Sequence, residues 1–423
     1  MDKRFEIRRK ELIEGALIKP AVYEDLISRL AIFLTPYVAC LGRIEQKGHL
    51  KTYLQGLVSE LERKNIEEIA YLHDQERHEL QHFIGASKWD PEPFLDILTK
   101  QVQEDLGEED GVLVVDPSGF EKDGKESVGV KRQWLGRLGK VDNGQVGVYA
   151  GYATRKGHAL FDAKLYLPQE WAKDRVRRRK VGVPRSVRFR TKPQLAQAMI
   201  EKRGSRIPHR WVAGDDEMGR CTRFRAWLRE RGERYVLAVP SNTGIRDLEA
   251  QAPMWSGHGA KPKTPFRSVS DWCQQLIPTA WTRIDVRDGE KGPLVVEIVK
   301  RRVQARTEKR RVGPEELLVI TRSQESNGWK IDYHLSNAVA ETSLEDLARV
   351  VKAEHRIEDC IKRAKSEAGL ADYEVRTWIG WYHHQILSLM ATWFLTRECQ
   401  RGEKMDTRHY GAADSIACCV VSA

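Results

Sequence analysis

The spacing of apolar residues divides the chain into a helical first quarter and a mixed remainder. Apolar positions recur at helical spacing within residues 1–105, for example in LISRLAIFLTPYVACL and HLKTYLQGLVSELERKNIEEIAYL. The single-residue alternation of apolar and polar positions that indicates a strand does not occur there. The pattern therefore predicts a helical accessory domain over residues 1–105.

Strands and helices alternate in the next part of the chain. GVLVVD is a short apolar run ending in Asp116, typical of a buried central strand. QVGVYAGYAT and HALFDAKLYL predict two further strands joined by the turn RKG, and the very basic segment 173–190 predicts a loop. KPQLAQAMIEK and CTRFRAWLRERG predict helices, each followed by a strand, RWVAGD and RYVLAVPS. This alternation predicts an α/β core whose first part spans residues 106–241.

The alternation stops after Ser241. NTGIRDLEAQAPMWSGHGAKPKTP is loop-like, and LVVEIVKRRVQA, ELLVITRS and WKIDYHLSN predict antiparallel strands, so residues 242–342 are predicted to be a β-rich insertion. A long helix is expected from its cap at Ser343, and the apolar helix RTWIGWYHHQILSLMATWFLTREC follows it. These two helices would complete the core over residues 343–400, leaving a tail over 401–423.

Charge adds a class of partner to this picture. The chain has 71 Lys and Arg against 61 Asp and Glu, a net charge of +10 and a pI near 9.1. An excess of this size indicates a polyanion partner. It leaves enzymes acting on tRNA or rRNA as open as enzymes acting on DNA.

Other classes of protein are disfavoured. The sequence has no run of 18 or more uncharged apolar residues, and its start lacks the apolar region of a secretory signal. We therefore expect no membrane association and a cytoplasmic location. The seven cysteines are scattered and form no CxxC motif, so we expect reduced thiols rather than a zinc site or disulfides.

Candidate chemistry begins with two strands that each end in an aspartate, Asp116 and Asp215. Ligands gather at the carboxyl ends of strands in an open α/β sheet, where neighbouring carboxylates would repel each other. Hard divalent cations with oxygen ligands would offset that repulsion. The alternative is that each aspartate only caps the following turn or helix.

Glu358 is a third candidate, on the helix that follows the insertion. Its neighbours at helical spacing are Glu354, Lys362 and Lys365. Residues alone favour an exposed helix face stabilised by Glu–Lys pairs rather than a site.

A resemblance to known proteins favours a functional role for these acidic residues. VVDPSGF, QVGVYAGYAT, GHALFDAKLYLPQEW, GDDEMG, YVLAVP and HRIEDCIKRAKSEAGLADYEVRTWIGWYHH, in this order, resemble the IS701 group of transposases. That group is allied to the IS4 class of DDE enzymes, and the resemblance runs from about residue 50 to residue 397. It implies an RNase H-like core with a β-rich insertion ahead of the glutamate-bearing helix, consistent with the interruption described above.

The resemblance assigns the acids position by position. Asp116 is the first, and Asp215 is the second because the family pattern has a glycine four residues later, here Gly219; Asp216 is the other option. The third acid is Glu358, in the motif Arg356-Ile357-Glu358-Asp359, with Lys365 seven residues later.

The chain also departs from the pattern of its relatives. The wider class usually has a tyrosine and an arginine upstream of the glutamate, where this chain has Val351 and Glu354. The resemblance leaves Arg356 or Lys352 as substitutes in binding phosphate. Met218 replaces the tyrosine usual before the glycine.

The implied activity is that of a DNA transposase. Asp116, Asp215 and Glu358 would hold two Mg²⁺ (or Mn²⁺) ions for cleavage at transposon ends and strand transfer into target double-stranded DNA. Pairing two ends implies a homodimer on DNA, with the bacterial protein associated with the nucleoid when bound. The alternatives are a catalytically inactive, domesticated DNA-binding protein and an RNase H-like nuclease without strand transfer. A hairpin intermediate is left open.

Basic clusters are the candidate DNA contacts, although such runs are often only solvated surface. Besides the accessory domain, the predicted DNA-binding residues are Lys365, Arg356, Lys362, Arg177, Arg178, Arg179, Lys180, Arg301, Arg302, Arg310, Arg311 and Trp329.

Some aromatic residues have two interpretations. Trp272, Trp281 and Trp329 are expected to form the small core of the insertion, and the alternative is that one stacks on a flipped base. His383 and His384 are expected to pack or to contact phosphate rather than to bind metal.

Overall fold

A computed structural model describes residues 25–136, 139–289, 292–325 and 328–405. Helices occupy most of residues 26–106, within the segment predicted to be helical, and residues 1–24 lie outside the description. The helices are α1 (Leu26–Ala39), α2 (Ile44–Leu57), α3 (Ile66–Leu72), α4 (Arg77–Gly85) and α5 (Glu92–Leu106). Their buried apolar side chains belong to the same hydrophobic cluster as the central strands, so these helices pack directly on the core.

A mixed sheet of twelve strands follows, and it confirms the α/β class over the described residues. Its path is β2-β3-β1-β5-β6-β12-β11-β10-β7-β8, with β4 beside β3 and β9 beside β10. The strands are β1 (Val112–Glu121), β2 (Lys131–Leu135), β3 (Lys140–Ala153), β4 (His158–Leu165), β5 (Trp211–Gly214), β6 (Arg234–Ala238), β7 (Gly244–Asp247), β8 (Arg267–Ser268), β9 (Thr282–Gly289), β10 (Gly292–Arg306), β11 (Val312–Glu325) and β12 (Gly328–Ser336).

The strand β1 has a different kind of partner on each side. It pairs antiparallel with β3 and parallel with β5, and β5 pairs parallel with β6. The expectation that the first strand ends at Asp116 is wrong, because Pro117 to Glu121 continue the ladder opposite Val148 to Gly144.

The strands of residues 242–342, the predicted insertion, extend this sheet rather than forming a sheet of their own. The last strand, β12, pairs antiparallel with β6, and β11, β10 and β7 follow outward. The predicted antiparallel strands are therefore confirmed. The predicted loop after Ser241 is wrong at β7, where Ile245 is buried and pairs with Ala305 of β10.

The remaining helices flank the sheet. They are α6 (Gln169–Lys173), α7 (Arg175–Lys180), α8 (Lys192–Lys202), α9 (Asp216–Arg220), α10 (Thr222–Glu230), α11 (Val269–Cys273), α12 (Leu344–Glu367) and α13 (Trp378–Met405). The prediction of a loop through residues 173–190 is wrong at α7. The side chain of Asp174 caps that helix by accepting a hydrogen bond from the Arg177 backbone N–H at 2.9 Å.

Helices α12 and α13 lie where two helices were predicted after the cap at Ser343. Ser343 caps α12, its side chain accepting from the Asp346 N–H at 3.1 Å. In α13, His383 and His384 are fully buried and hydrogen-bond to backbone carbonyl groups, including those of Ile84 and Gly369, which fits a packing role. In the described part of the chain, no helix is long and apolar enough to cross a membrane.

Candidate active site

The register of the sheet brings Asp116 and Asp215 to the same level. Val115 lies opposite Gly214 in the parallel pairing of β1 with β5, and the two aspartates are the next residues on these strands. At this point the strands diverge, since β1 continues while the chain after β5 turns into α9. The two aspartates therefore lie at neighbouring positions of the sheet, and their role as a catalytic pair stays a prediction.

The choice between Asp215 and Asp216 follows from their surroundings. Asp215 caps α9, accepting a hydrogen bond from the Met218 N–H at 3.1 Å. Asp216 is half-exposed and forms an ion pair with Arg220 on the outer side of the same helix. Of the two, Asp215 is the one whose charge raises the pKa of Asp116.

Gly219 explains why a glycine follows Asp215 by four residues. A Cβ atom at this position would lie 1.8 Å from the carbonyl oxygen of Ala238, at the end of β6. Any larger residue would push α9 away from the sheet and move its capping aspartate.

Burial and neighbouring negative charges disfavour the ionised form of both aspartates. Burial raises the pKa of Asp116 well above its usual value, and the charges of Asp215, Glu358 and Glu354 raise it further. Burial also raises the pKa of Asp215 to about 7, against the opposing effect of the Met218 hydrogen bond. A divalent cation would relieve this repulsion.

The helix α12 lies close against the sheet and carries two glutamates towards these aspartates. A Cβ atom at Gly151 of β3 would lie 2.5 Å from Cδ1 of Ile357, so the glycine permits the close approach. Glu354 is buried, and burial together with the charges of Asp215 and Glu358 raises its pKa to about 8. Glu358, one turn later, is half-exposed, and its hydrogen bond with His355 lowers its pKa.

Lys365 lies beside the first aspartate. Its Nζ donates to the Ser118 hydroxyl at 2.8 Å and to the Gly119 carbonyl at 3.0 Å, two and three residues beyond Asp116. The charge of Lys365 opposes the rise in the pKa of Asp116. Arg356 instead donates to the carbonyl of Thr154, at the end of β3, and Lys362 is exposed.

These residues can be tested against a divalent metal ion. Their donors are carboxylate oxygens, the ligands preferred by Mg²⁺ and Mn²⁺, and a cation would offset the mutual repulsion of Asp116, Asp215 and Glu354. Within the described ranges, no three His, Cys, Asp or Glu side chains already form a compact metal cluster. The donor set fits the ions, which would draw the carboxylates together.

The predicted basic contacts of α7 divide into internal and exposed side chains. Arg178 donates to the carbonyls of Ala172, Pro184 and Val187, and the guanidinium of Arg177 lies 3.7 Å from the centre of the Trp171 ring. Arg179 and Lys180 are exposed, and Lys180 forms an ion pair with Glu126.

Two of the predicted contacts in residues 242–342 form ion pairs, and two lie at an exposed hairpin tip. Arg301 is paired with Asp247 and Glu249, and Arg302 with Glu315. Arg310 and Arg311 are exposed at the tip of the hairpin between β10 and β11.

The three tryptophans of the insertion differ in exposure. Trp272 is buried in the insertion's own hydrophobic cluster and donates to Asp247, which confirms its predicted core role. Trp281 packs partly against that cluster. Trp329 is 50% exposed, and the guanidinium of Arg322 lies 4.2 Å from the Trp281 ring centre and 4.5 Å from that of Trp329.

Sequence reasoning missed two contributions to the site. Glu354 was predicted only as a helical neighbour of Glu358 and as a departure from the class, without a part in the site, although it shares the helix face of Glu358. The pair formed by Asp332 and His355 has no local signal, because it joins β12 to α12.

Comparison with known proteins identifies the family of this chain. The family model described as DDE superfamily endonuclease matches residues 36–293, and the chain belongs to this family. Over 201 residues the chain is 31% identical to the probable transposase for insertion sequence element IS701 of Microchaete diplosiphon, a match covering 46% of this chain and 50% of that protein. The chain thus spans about half the length of the curated relative it matches.

A structural similarity is more distant. A piggyBac transposase synaptic complex with hairpin DNA aligns over 94% of this chain and 78% of that one, with 10% identity and a TM-score of 0.41. A score of this size does not establish a shared fold.

Proposed function

We propose that this protein is a DNA transposase that cleaves transposon ends and transfers the strands into target DNA. The observation that carries the proposal is the placement of Asp116 and Asp215 at one level of neighbouring strands, with Glu358 of α12 near enough for its charge to raise the pKa of Asp116. Membership of the DDE endonuclease family and the similarity to an IS701 transposase support it.

The proposed architecture is an RNase H-like core. The antiparallel strands β4, β3 and β1, followed by the parallel strands β5 and β6, support it. The strands β7 to β12 are the proposed β-rich insertion, and α12 returns from it to the core.

Each residue of the site has a proposed role in this chemistry. Asp116, Asp215 and Glu358 would hold two Mg²⁺ or Mn²⁺ ions, which when bound supply Lewis-acid activation of the attacking hydroxyl and stabilisation of the leaving oxygen. Lys365, fixed to Ser118 and Gly119, keeps a positive charge beside Asp116. The exposed residues Arg179 and Arg311 would neutralise phosphates of double-stranded DNA.

The assembly that acts on DNA is proposed to be a homodimer, because two transposon ends must be held together. Proposed DNA contacts otherwise follow the exposed basic positions, and Trp329 is the proposed stacking residue of the insertion because it is half-exposed.

The proposal is tested by incubating the protein with its transposon ends and target DNA in Mg²⁺ or Mn²⁺, beside Asp116→Ala. We expect metal-dependent cleavage and joining by the wild type and neither reaction by the variant. Binding without cleavage would instead indicate a DNA-binding protein that has lost its activity, and cleavage without joining would indicate a nuclease.

The third acid is tested separately. Glu358→Gln is expected to abolish cleavage, and Asp359→Gln, its exposed neighbour, is the matched control that retains it. Glu354→Gln distinguishes the two glutamates of α12. If Glu354→Gln abolishes cleavage and Glu358→Gln does not, Glu354 is the third acid.

A further inference from the structure

One face of β12 is lined with charged and polar side chains that are directed at α12. The alternating residues Lys330, Asp332 and His334 share this face, as the two-residue period of a strand requires. Opposite them on α12 are Lys352, Glu354, His355 and Glu358. Asp332 lies 3.8 Å from the Lys352 ammonium, and His334 lies 3.9 Å from Glu354.

A continuous chain of contacts runs through this interface to the proposed third acid. Nδ1 of His355 lies 3.2 Å from Oε2 of Glu358, and Nε2 of the same ring lies 3.7 Å from Oδ2 of Asp332. With both ring nitrogens directed at carboxylates, the imidazole joins the last strand of the insertion to the helix of the core.

We propose that His355, oriented by Asp332, is a positioning residue that holds the Glu358 carboxylate for metal binding. The inference rests on the proposed function, in which Glu358 is the third acid. It makes the insertion a direct support of the active site.

Glu358 needs such support more than the two aspartates do. Asp116 is fixed within a strand, and Asp215 is fixed by its cap on α9. Glu358 has a longer side chain, is half-exposed on a helix, and has His355 as its hydrogen-bond partner among the described residues. Without that bond, its rotamers would be free to leave the site.

The other interpretation is that His355 and Glu358 form an ordinary salt bridge that stabilises α12. An exposed pair three residues apart contributes little to the stability of a helix. Loss of that role would lower thermal stability slightly and leave metal affinity unchanged, whereas loss of a positioning partner typically weakens metal binding about 10- to 100-fold.

The test compares His355→Gln and Asp332→Asn with the wild type, and His78→Gln, an exposed histidine on α4, is the control. Mn²⁺ binding is measured on the whole protein by loss of the free-ion electron paramagnetic resonance signal. We expect His355→Gln to weaken Mn²⁺ binding by about 10-fold or more and Asp332→Asn to weaken it less. DNA cleavage should lose kcat with an unchanged KM for DNA.

A double variant keeps the inference separate from the proposed function. Glu358→Gln should weaken Mn²⁺ binding by itself, and adding His355→Gln should then have no further effect. If Glu358→Gln leaves both Mn²⁺ binding and cleavage unchanged, the proposed function fails at this residue. If Glu358→Gln is defective while His355→Gln matches the wild type, or if their effects add, the positioning role of His355 is overturned.

Discussion

The two halves of the proposed site are built in different ways. Asp116 and Asp215 lie on the core sheet, where backbone pairing and a helix cap fix their positions. Glu358 lies on α12 and contacts His355, which in turn faces Asp332 of the insertion. The positions of the two aspartates are thus set by backbone structure in the core. The position of Glu358 is set by side-chain contacts that reach the insertion.

This difference predicts which substitutions will disturb each half of the site. Substitutions that change the packing of β5 or α9 should displace the aspartates. Substitutions that separate the insertion from the core should affect Glu358 first. The buried charges of the core and the tip of the insertion provide separate tests of each half.

The largest expected effect is on the core half. Asp215→Asn should reduce the rate of cleavage of transposon ends by roughly 1,000-fold or more. Catalytic groups act as a unit, so removing one of them removes most of the rate enhancement. Asp216→Asn, its exposed neighbour paired with Arg220, should stay near the wild-type rate. Equal losses in the two variants would show that the assignment of Asp215 is wrong.

The attachment of the insertion to the core gives the next largest effect. Glu316 of β11 is fully buried, lies 3.0 Å from the Arg225 guanidinium and 2.9 Å from that of Arg229, and accepts from the Tyr235 hydroxyl at 2.6 Å. Glu316→Gln should lower the free energy of unfolding by about 3 kcal/mol, because it leaves buried Arg225 without its counter-charge.

The adjacent Glu315 provides a matched control, since it pairs with Arg302 at the surface. Glu315→Gln should cost less than about 1 kcal/mol in chemical denaturation. Similar losses for the two variants would contradict a buried ionic link between insertion and core.

A smaller effect on stability is expected at Gly219. Gly219→Ala should cost about 1–3 kcal/mol, because the added methyl group would press on the Ala238 carbonyl. Gly48→Ala, on the open surface of α2, should instead stabilise the protein by about 0.5–1 kcal/mol. Thermal unfolding measures both, and a neutral Gly219→Ala would mean that α9 can move freely from the sheet.

The smallest effect concerns the exposed tip of the insertion. Arg311→Gln should lower affinity for double-stranded DNA a few-fold and reduce the slope of its salt dependence by about one. Arg301→Gln should change this slope less, because Arg301 already pairs with Asp247 and Glu249. Binding titrations at several salt concentrations would reveal whether the paired arginine matters more than the exposed one.

Much of the fold could be predicted because its signals are local. The cap at Ser343, the helix through Lys192–Lys202 and the apolar run before Asp116 each depend on a few adjacent residues. The continuation of β1 past Asp116 escaped prediction, because its polar end is stabilised by pairing with β3 rather than by its own pattern.

The site was less predictable, because its geometry depends on contacts between distant segments. Asp116 and Asp215 lie at the same height in the sheet because of the register between β1 and β5. The contact between Asp332 and His355 depends on how α12 lies across β12. The family resemblance supplied Glu358, which the residues alone would have left as part of an exposed helix face.

Metal binding by the pair Asp116 and Asp215 is tested most directly by anomalous diffraction from crystals soaked in Mn²⁺. Such binding predicts an anomalous peak about 2.0–2.6 Å from carboxylate oxygens of both residues. Crystals of Asp116→Asn should lose that peak. Mn²⁺ bound at exposed acids such as Asp216, with none between Asp116 and Asp215, would contradict the account.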